Sequence, residues 1–260
     1  MDVLQINRLA EVANNQNIFF CKTDYLSQAF DFLRKLDRSV ILISGNSDYH
    51  VDESVFNRCP PNVVKWFCVN CHVENERIVP VPLGIENHID CVIEGYGMGH
   101  KHAIEKFDIL SDPPSQKPIS LMYGNFSLYT NPDLRNIVRS IAIESPHINW
   151  KEPNLPYVEF VADILNHQSV LCPIGNGYGD NHRIYEALYL GRIPFVFYEP
   201  MYRFLHNKMP VVLVDEVDKI RDESWVSDKI NEAKSKTLDT EIITTKYWQD
   251  LILKEASKIQ

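Results

Sequence analysis

The sequence predicts an α/β protein built on parallel strands, and three observations support this fold class. Strand-like and helix-like patterns alternate along the 260-residue chain, as they do in α/β layers with parallel strands. Residues 39–44 form a continuous apolar run, which fits a strand buried on both faces. A glycine-rich stretch at residues 175–179 separates a strand-like run from a helix-like run, as in nucleotide-binding α/β folds.

The pattern of the first half of the chain predicts one α/β layer with parallel strands. Apolar residues at helical spacing, Leu26, Ala29, Phe30, Leu33 and Leu36, predict an amphipathic helix over 24–36. Strands are predicted over 39–44, 62–69 and 78–81, and a helix within 96–110.

A linker and a second α/β layer follow. Residues 111–118 contain three prolines and predict the linker. Strands are predicted over 119–123, 148–150, 169–172, 193–197 and 211–214, and helices over 131–144, 157–166, 182–190, 224–236 and 245–259. We therefore expect two domains, 1–112 and 118–260, and the last helix is a candidate to cross back to the first.

Composition narrows the functional classes. Hydrophobic residues make up 45% of the chain and charged residues 23%, which is typical of a soluble globular protein. The net charge of −9 argues against a nucleic-acid-binding surface, because such a surface needs basic residues. Residues 1–12 lack a signal-peptide pattern, and no run of about 18 apolar residues predicts a membrane span. We expect a cytoplasmic protein.

Six cysteines are too few for a disulfide scaffold in a chain of this length. Cys21, Cys91 and Cys172 lie in apolar surroundings and are expected to be reduced core residues. The segment Cys68-Val69-Asn70-Cys71-His72 has the spacing of a c-type haem attachment motif, which requires export. A zinc site is a second interpretation. The simpler interpretation is a buried strand over 66–69 with Cys71 following it.

The stretch from Pro173 to Pro194 carries the strongest functional signal. An apolar run stops at Pro173, a glycine-rich loop follows, and Asp180-Asn181 open a helix that carries Arg183 and Glu186. Backbone N–H groups and the helix dipole make such a loop an anion site. Arg183 and Glu186 share one helix face, which places a cation for a diphosphate beside a carboxylate for ribose hydroxyls.

This stretch resembles the sugar-donor half of exostosin-like glycosyltransferases, the family 47 type. The resemblance is carried by Leu171-Cys172-Pro173-Ile174-Gly175, Arg183-Ile184-Tyr185-Glu186-Ala187-Leu188 and Gly191-Arg192-Ile193-Pro194-Phe195-Val196. It is specific over roughly 25 residues and weaker over the C-terminal half. It implies a GT-B-like fold with two Rossmann-type domains facing a central cleft, the sugar donor on the C-terminal side and the acceptor on the other.

The resemblance also indicates a set of donor-binding residues: Asn125, Thr130, Arg135, Gly175, Tyr178, Asn181, His182, Arg183 and Glu186. Arg183 is expected to pair with the diphosphate and offset the charge that builds on the leaving group. Thr130 has an alternative interpretation as a helix N-cap, and Arg135 as a solvated helix residue.

The first half supplies candidates for the general base. Asp48 and His50 follow a buried strand, and either residue could accept the proton of the acceptor hydroxyl. An Asx-type turn is the alternative interpretation of this loop. Glu86 and His88 follow the strand at 78–81 and are candidates for contact with the acceptor or the donor sugar.

Together these features predict a metal-independent, inverting glycosyltransferase that uses a nucleotide-diphosphate sugar, with UDP implied by the resemblance. No Asp-x-Asp follows a predicted strand as a metal ligand, so neither a metal nor another cofactor is expected. The sugar (xylose, glucuronic acid, galactose or N-acetylglucosamine) stays open, and the acceptor is a surface or capsid glycan, as in small bacterial or viral relatives. A non-catalytic nucleotide- or glycan-binding protein is the main alternative. Residues 95–99 also fit the dinucleotide-binding loop of a dehydrogenase. This hypothesis has less support than the other two, because no clear strand precedes that glycine motif.

Overall fold

The computed structural model of the chain describes residues 2–14, 16–87, 103–176, 180–197, 208–237 and 239–259. It is a mixed α/β structure with two parallel sheets. The predicted dinucleotide motif at residues 95–99 and the predicted site residues His88 and Tyr178 lie outside the described residues.

The first sheet has the strand order β1-β2-β3-β4, and each pairing in it is parallel. Its strands are β1 (Ile18–Lys22), β2 (Val40–Gly45), β3 (Val63–Cys68) and β4 (Ile78–Pro80). The helices of this half are α1 (Leu26–Leu33), α2 (Glu53–Phe56) and α3 (Ala103–Ser111), with 3-10 helices at Ile6–Asn14 and Thr23–Tyr25.

The second sheet has the order β6-β5-β7-β8-β9 and is also parallel. Its strands are β5 (Ser120–Gly124), β6 (Ile148–Trp150), β7 (His167–Cys172), β8 (Ile193–Phe197) and β9 (Val212–Val214). The described helices are α4 (Pro132–Glu144), α5 (Tyr157–Asn166), α6 (His182–Tyr189), α7 (Glu223–Ser235) and α8 (Thr245–Ala256), with 3-10 helices at Val217–Arg221 and Thr240–Ile243.

Every residue of β2 and of β8 is buried, so both faces of these two central strands are covered, which explains their continuous apolar runs. In β2, Val40 and Leu42 pack into one hydrophobic cluster, while Ile41 and Ile43 pack into another. The second of these clusters also contains residues of the second half, including Val170 and Ile184. The hydrophobic core is therefore continuous between the two sheets.

The N-terminal segment joins distant parts of the chain. The Leu4 amide donates to the Ile243 carbonyl at 3.1 Å, and the Leu4 carbonyl accepts from the Ile85 amide at 2.9 Å. The hydroxyl of Thr245, at the start of α8, donates to the Val3 carbonyl at 2.8 Å. Helix α8 packs against the 3-10 helix Ile6–Asn14. Residues from both ends of the sequence thus complete the packing of the first sheet.

The sequence prediction missed three elements of the first half: the 3-10 helix Ile6–Asn14, the edge strand β1 and the one-turn helix α2. Tertiary packing buries these elements: Leu9 and Ile18 lie in one hydrophobic cluster and Phe56 lies in another. Two further corrections concern single residues. Cys21 is half-buried rather than a core residue, and Asn131, not Thr130, occupies the N-cap position of α4.

Among the described residues, no helix combines the length and the apolar character needed to cross a membrane.

Two glycines with the same backbone conformation give a matched test of the packing around Leu4. Gly84 and Gly191 both have φ of 69°. A Cβ on Gly84 would lie 2.2 Å from the Leu4 carbonyl oxygen, whereas one on Gly191 would have no neighbour within 4 Å. We expect Gly191→Ala to reduce the free energy of unfolding by about 1 kcal/mol. Gly84→Ala should reduce the free energy of unfolding by about 3 kcal/mol more than Gly191→Ala does. Urea denaturation measures both. Equal losses would contradict this packing.

Candidate functional site

The carboxyl ends of strands from both sheets meet near the start of α6, and Asp180 connects them. The Asp180 amide donates to Asn70 Oδ1 at 3.1 Å, and its carboxylate accepts from the Leu83 amide at 2.9 Å and from the Tyr185 hydroxyl. Asn70 follows β3 and Leu83 follows β4. Ligands of parallel α/β sheets bind at this edge, so this junction is the candidate site.

Helix α6 presents its N-terminus to the junction. Its N-cap residue, Asn181, makes no side-chain capping hydrogen bond. The next residue, His182, has Nδ1 2.8 Å from the Gly84 carbonyl oxygen. Because a carbonyl can only accept, Nδ1 carries the proton. The amide dipoles of α6 favour negative charge at this end.

Arg183 lies in the first turn of α6. Its guanidinium carbon is 5.1 Å from the centre of the Phe160 ring on α5. Its Nε is buried and has no hydrogen-bond partner among the described residues. A buried guanidinium N–H without a partner is costly. The arrangement is therefore suited to an anionic ligand that accepts this hydrogen bond.

Arg135 braces the loop that precedes this region. Its guanidinium donates to the carbonyls of Ile174 at 2.8 Å and Pro173 at 3.0 Å, after β7. It also donates to the Ser127 carbonyl at 2.7 Å and to Thr130 Oγ1 at 2.5 Å, after β5. Burial and then the positive charge of Arg183 lower the pKa of Arg135 to about 10. The two guanidinium groups are therefore close enough to repel each other.

A buried ion cluster lies beside these arginines. Lys106 Nζ of α3 is 2.5 Å from Glu86 Oε1 and 2.7 Å from Glu186 Oε1 of α6. The side chains of Glu86 and Glu186 are 6% and 3% exposed. Burial raises the pKa of Glu86, but the charges of His182 and Lys106 outweigh it and lower that pKa to about 2. Burial lowers the pKa of Lys106, and the two glutamates more than reverse this, so its pKa is raised.

Two aromatic residues of α5 support the cations. Lys106 Nζ is 5.5 Å from the centre of the Tyr157 ring, and Phe160 is three residues further along the same helix face. The two ring centres are 5.8 Å apart. Arg183 and Lys106 therefore rest on neighbouring rings, where cation–π attraction partly replaces lost hydration.

The structure gathers several predicted site residues at this junction. His182, Arg183 and Glu186 lie on α6, with Glu86 beside Lys106. Arg135 contacts Thr130 and holds the loop that leads to Gly175. Asn125 is 5% exposed and donates to the Glu152 carbonyl at 3.0 Å, so this side chain is committed to loop structure.

Asp48 and His50 lie in the loop after β2. Asp48 is exposed. The His50 ring stacks on His72 with centres 4.7 Å apart, and its Nε2 is 3.9 Å from Asp52 Oδ2. These contacts are local to the first sheet.

Sequence reasoning missed Lys106 and Asp180 as site residues. Lys106 lies in the pattern Ala103-Ile104-Glu105-Lys106-Phe107, which looks like an ordinary helix segment. Nothing local indicates that its ammonium group is buried between carboxylates from two other segments. Asp180 marks a helix start in sequence, but its contacts with Asn70 and Leu83 span about a hundred residues.

No protein-family model matches the chain, and no curated protein matches it. Solved structures do match, among them the "Spinosyn Rhamnosyltransferase SpnG". That match covers 95% of this chain and 70% of the other, with 11% sequence identity and a TM-score of 0.38. Similarity at this level supports no inference about function.

Removing Lys106 should destabilise the protein strongly. In Lys106→Met, two buried carboxylates lose their cation, which should reduce the free energy of unfolding by about 3–5 kcal/mol. Lys35→Met, at an exposed position, is the control and should change it by less than about 0.5 kcal/mol. Urea denaturation measures both. Combining Lys106→Met with Glu86→Gln and Glu186→Gln should recover part of the loss; no recovery would contradict the charge explanation.

Acid should weaken the fold partly through Glu86. Its pKa falls from 4.5 to about 2 on folding, so its ionisation stabilises the native state above pH 4.5. That contribution, on the order of 3 kcal/mol, is lost as the pH falls through the folded-state pKa. Glu86→Gln should therefore flatten the decline in unfolding free energy between pH 5 and 2. The exposed Glu159→Gln is the control, and an identical decline in both variants would exclude this role of Glu86.

Proposed function

We propose that the protein is an inverting glycosyltransferase that moves a sugar from a nucleotide-diphosphate donor, UDP in the first instance, to a glycan hydroxyl. The observation that carries the proposal is Arg183, whose buried Nε has no hydrogen-bond partner among the described residues. It lies in the first turn of α6, where helix dipoles favour an anion. A diphosphate provides both the charge and the acceptor oxygens that this position lacks.

The neighbouring groups support an anionic ligand. Arg135 adds a second positive charge close to Arg183 and donates hydrogen bonds to the Pro173 and Ile174 carbonyls, which are therefore satisfied without a ligand. Glu186 is paired with Lys106, so its proposed contact with ribose hydroxyls requires an approach to a carboxylate that is 3% exposed. The proposed contact of Arg183 with the diphosphate therefore has more support than the proposed contact of Glu186 with the ribose hydroxyls.

In the proposed reaction, the acceptor oxygen forms a bond to the anomeric carbon while the bond from that carbon to the diphosphate oxygen breaks. The acceptor proton passes to Asp48 or His50, the proposed base. The diphosphate leaves with its charge against Arg183. In this proposal the arginines and the α6 dipole stabilise the leaving group, and no metal is required.

A non-catalytic nucleotide- or glycan-binding protein is the second candidate. The same cations would hold a nucleotide in such a protein, and the exposed Asp48 would have no role. Slow hydrolysis of the sugar donor without an acceptor distinguishes the enzyme, since a pure binding protein leaves its ligand intact.

Arg183 gives the direct test. We expect UDP to raise the thermal unfolding midpoint of the protein without added Mg²⁺, because ligands that bind the native state stabilise it. Arg183→Ala should abolish that shift and reduce turnover by about 10²–10³-fold. Arg183→Lys should restore part of the binding, since the charge is kept but the planar fork is lost.

Arg221→Ala is the matched control, because Arg221 has a side chain 45% exposed and two partners, Glu144 and Asp218. It should bind UDP like the wild type. The same screen includes GDP, CMP, UDP-sugars and NAD. A shift with NAD alone, or none with any nucleotide, would overturn the proposal, as would full activity of Arg183→Ala.

A further inference from the structure

A cavity of about 350 Å³ lies at the amino-terminal edge of the first sheet. One wall is formed by helix α1 and the residue that follows it, and the other by the turn at residues 57–61, which precedes β3. The candidate site lies after β3, at the other end of the same strand. Ligand pockets have volumes of about 300–1,000 Å³, so this cavity has room for one small molecule.

The floor of the cavity is apolar. Phe30 is 2% exposed, and Cys59 and Pro60 are buried as well. The Phe30 ring packs edge-on against Trp66, with ring centres 5.5 Å apart, so its position is fixed. Burial raises the pKa of Cys59 to about 11, and its thiol is therefore neutral near pH 7 and brings no negative charge. The apolar body of a ligand would displace water from this floor, which is favourable.

Hydrogen bonds hold the walls of the cavity in place. Asn62 Nδ2 donates to the Leu33 carbonyl at 2.8 Å, at the end of α1. Arg77 Nη2 donates to the Pro60 carbonyl at 2.8 Å. Backbone carbonyls that would otherwise repel an anion are thus already occupied by donors. Because the walls are fixed without a ligand, binding does not require the turn to become ordered first.

The rim of the cavity has an excess of positive charge. Arg34 Nη1 lies 3.1 Å from Asp31 Oδ1, and Arg34 Nη2 donates to the Arg58 carbonyl at 3.1 Å. The guanidinium of Arg58 is exposed and has no hydrogen-bond or ion-pair partner among the described residues. Asp31 is the one carboxylate among the described residues that line the cavity. Two arginines and one aspartate leave one positive charge unbalanced.

We infer that this cavity binds a small organic anion, whose charged group contacts Arg58 and whose apolar body covers Phe30 and Pro60. The planar fork of a guanidinium matches the oxygens of a carboxylate or a phosphate group. Arg34 is held at the same rim by Asp31 and by the turn, and its charge favours the same ligand. The inference does not depend on the proposed function, because the cavity lies at the opposite end of β3 from the junction.

Benzoate, acetate and benzyl alcohol distinguish the two parts of this site. Each is titrated into the ¹⁵N-labelled full chain at constant ionic strength, and amide shifts are followed by NMR. We expect benzoate to shift the amides of residues 27–34 and 57–59 saturably, with a dissociation constant on the order of 1–10 mM for a ligand of this size. Acetate lacks the ring and benzyl alcohol lacks the charge, so each should bind at least about tenfold more weakly.

The same titrations can contradict the inference. Acetate binding as tightly as benzoate would exclude a role of the apolar floor, and benzyl alcohol binding as tightly would exclude a role of the charge. No saturable shift with benzoate, phenyl phosphate or any other probe would exclude the site altogether. Phenyl phosphate identifies the charged group: tighter binding than benzoate assigns phosphate esters, weaker binding assigns carboxylic acids, and both support a site for organic anions.

Arginine variants test the contact with the charged group. Arg58→Ala should raise the benzoate dissociation constant about tenfold or more, because charge-assisted hydrogen bonds are lost. Arg38→Ala is the control, since Arg38 is an exposed arginine just before β2 that donates to Asn17 and Gln16 and does not line the cavity. It should bind benzoate like the wild type. Equal weakening in both variants would indicate general attraction of anions and rule out a site at Arg58.

Ser27→Phe tests the cavity itself. Ser27 is an exposed residue of α1 that lines the cavity, so a larger side chain there should fill the space without disturbing the core. We expect benzoate to bind at least about tenfold more weakly, while the UDP-induced thermal shift is unchanged. Unaltered benzoate affinity would show that the ligand binds elsewhere. If UDP fails to shift the wild-type protein, the proposed function fails while the benzoate titration still decides this site.

Discussion

The buried cluster of Glu86, Lys106 and Glu186 is the constraint on which the arrangement of the candidate site depends. Its members come from the segment after β4, from α3 and from α6. Buried charges are tolerated only when they are paired closely. The three segments must therefore keep one relative position. Because Glu186 and Arg183 are three residues apart on α6, the cluster also fixes where Arg183 lies.

Around this cluster, side chains at the strand ends mainly shape loops. Arg135 gathers carbonyls after β5 and β7, and Asp180 gathers groups after β3 and β4. The Nε atoms of Arg183, Arg139 and Arg192 are all buried without a hydrogen-bond partner among the described residues. Arg183 differs from the other two in its terminal nitrogens, because those of Arg139 and Arg192 donate to Glu152, Gln116 and Leu165. Local strain and unpaired polar groups concentrate at functional sites. Arg135 is already hydrogen-bonded to backbone carbonyls, whereas the guanidinium of Arg183 has donors to spare, and for this reason the proposed anion contact is assigned to Arg183.

The sequence predicted the strands of both sheets, apart from β1, because a short apolar run of β-branched and aromatic residues is typical of a buried strand. It also predicted α4, α5 and α6 closely, since their apolar spacing and the proline at the start of α4 are local signals. It missed the Ile6–Asn14 segment. Leu4 and Leu9 are buried because the end of the chain returns over them, which no local pattern records.

By itself, the sequence determined the α/β class, the order of the layers and the Gly-rich loop leading to Arg183. These features depend on periodicity and on residue types within a few positions. Only the tertiary structure decided that Lys106 is buried between two glutamates, that Arg135 is a buried loop brace, and that Asn70 reaches Asp180. Those roles depend on contacts between residues 20 to 110 positions apart, whose energies arise only when folding removes water from the charged and polar groups.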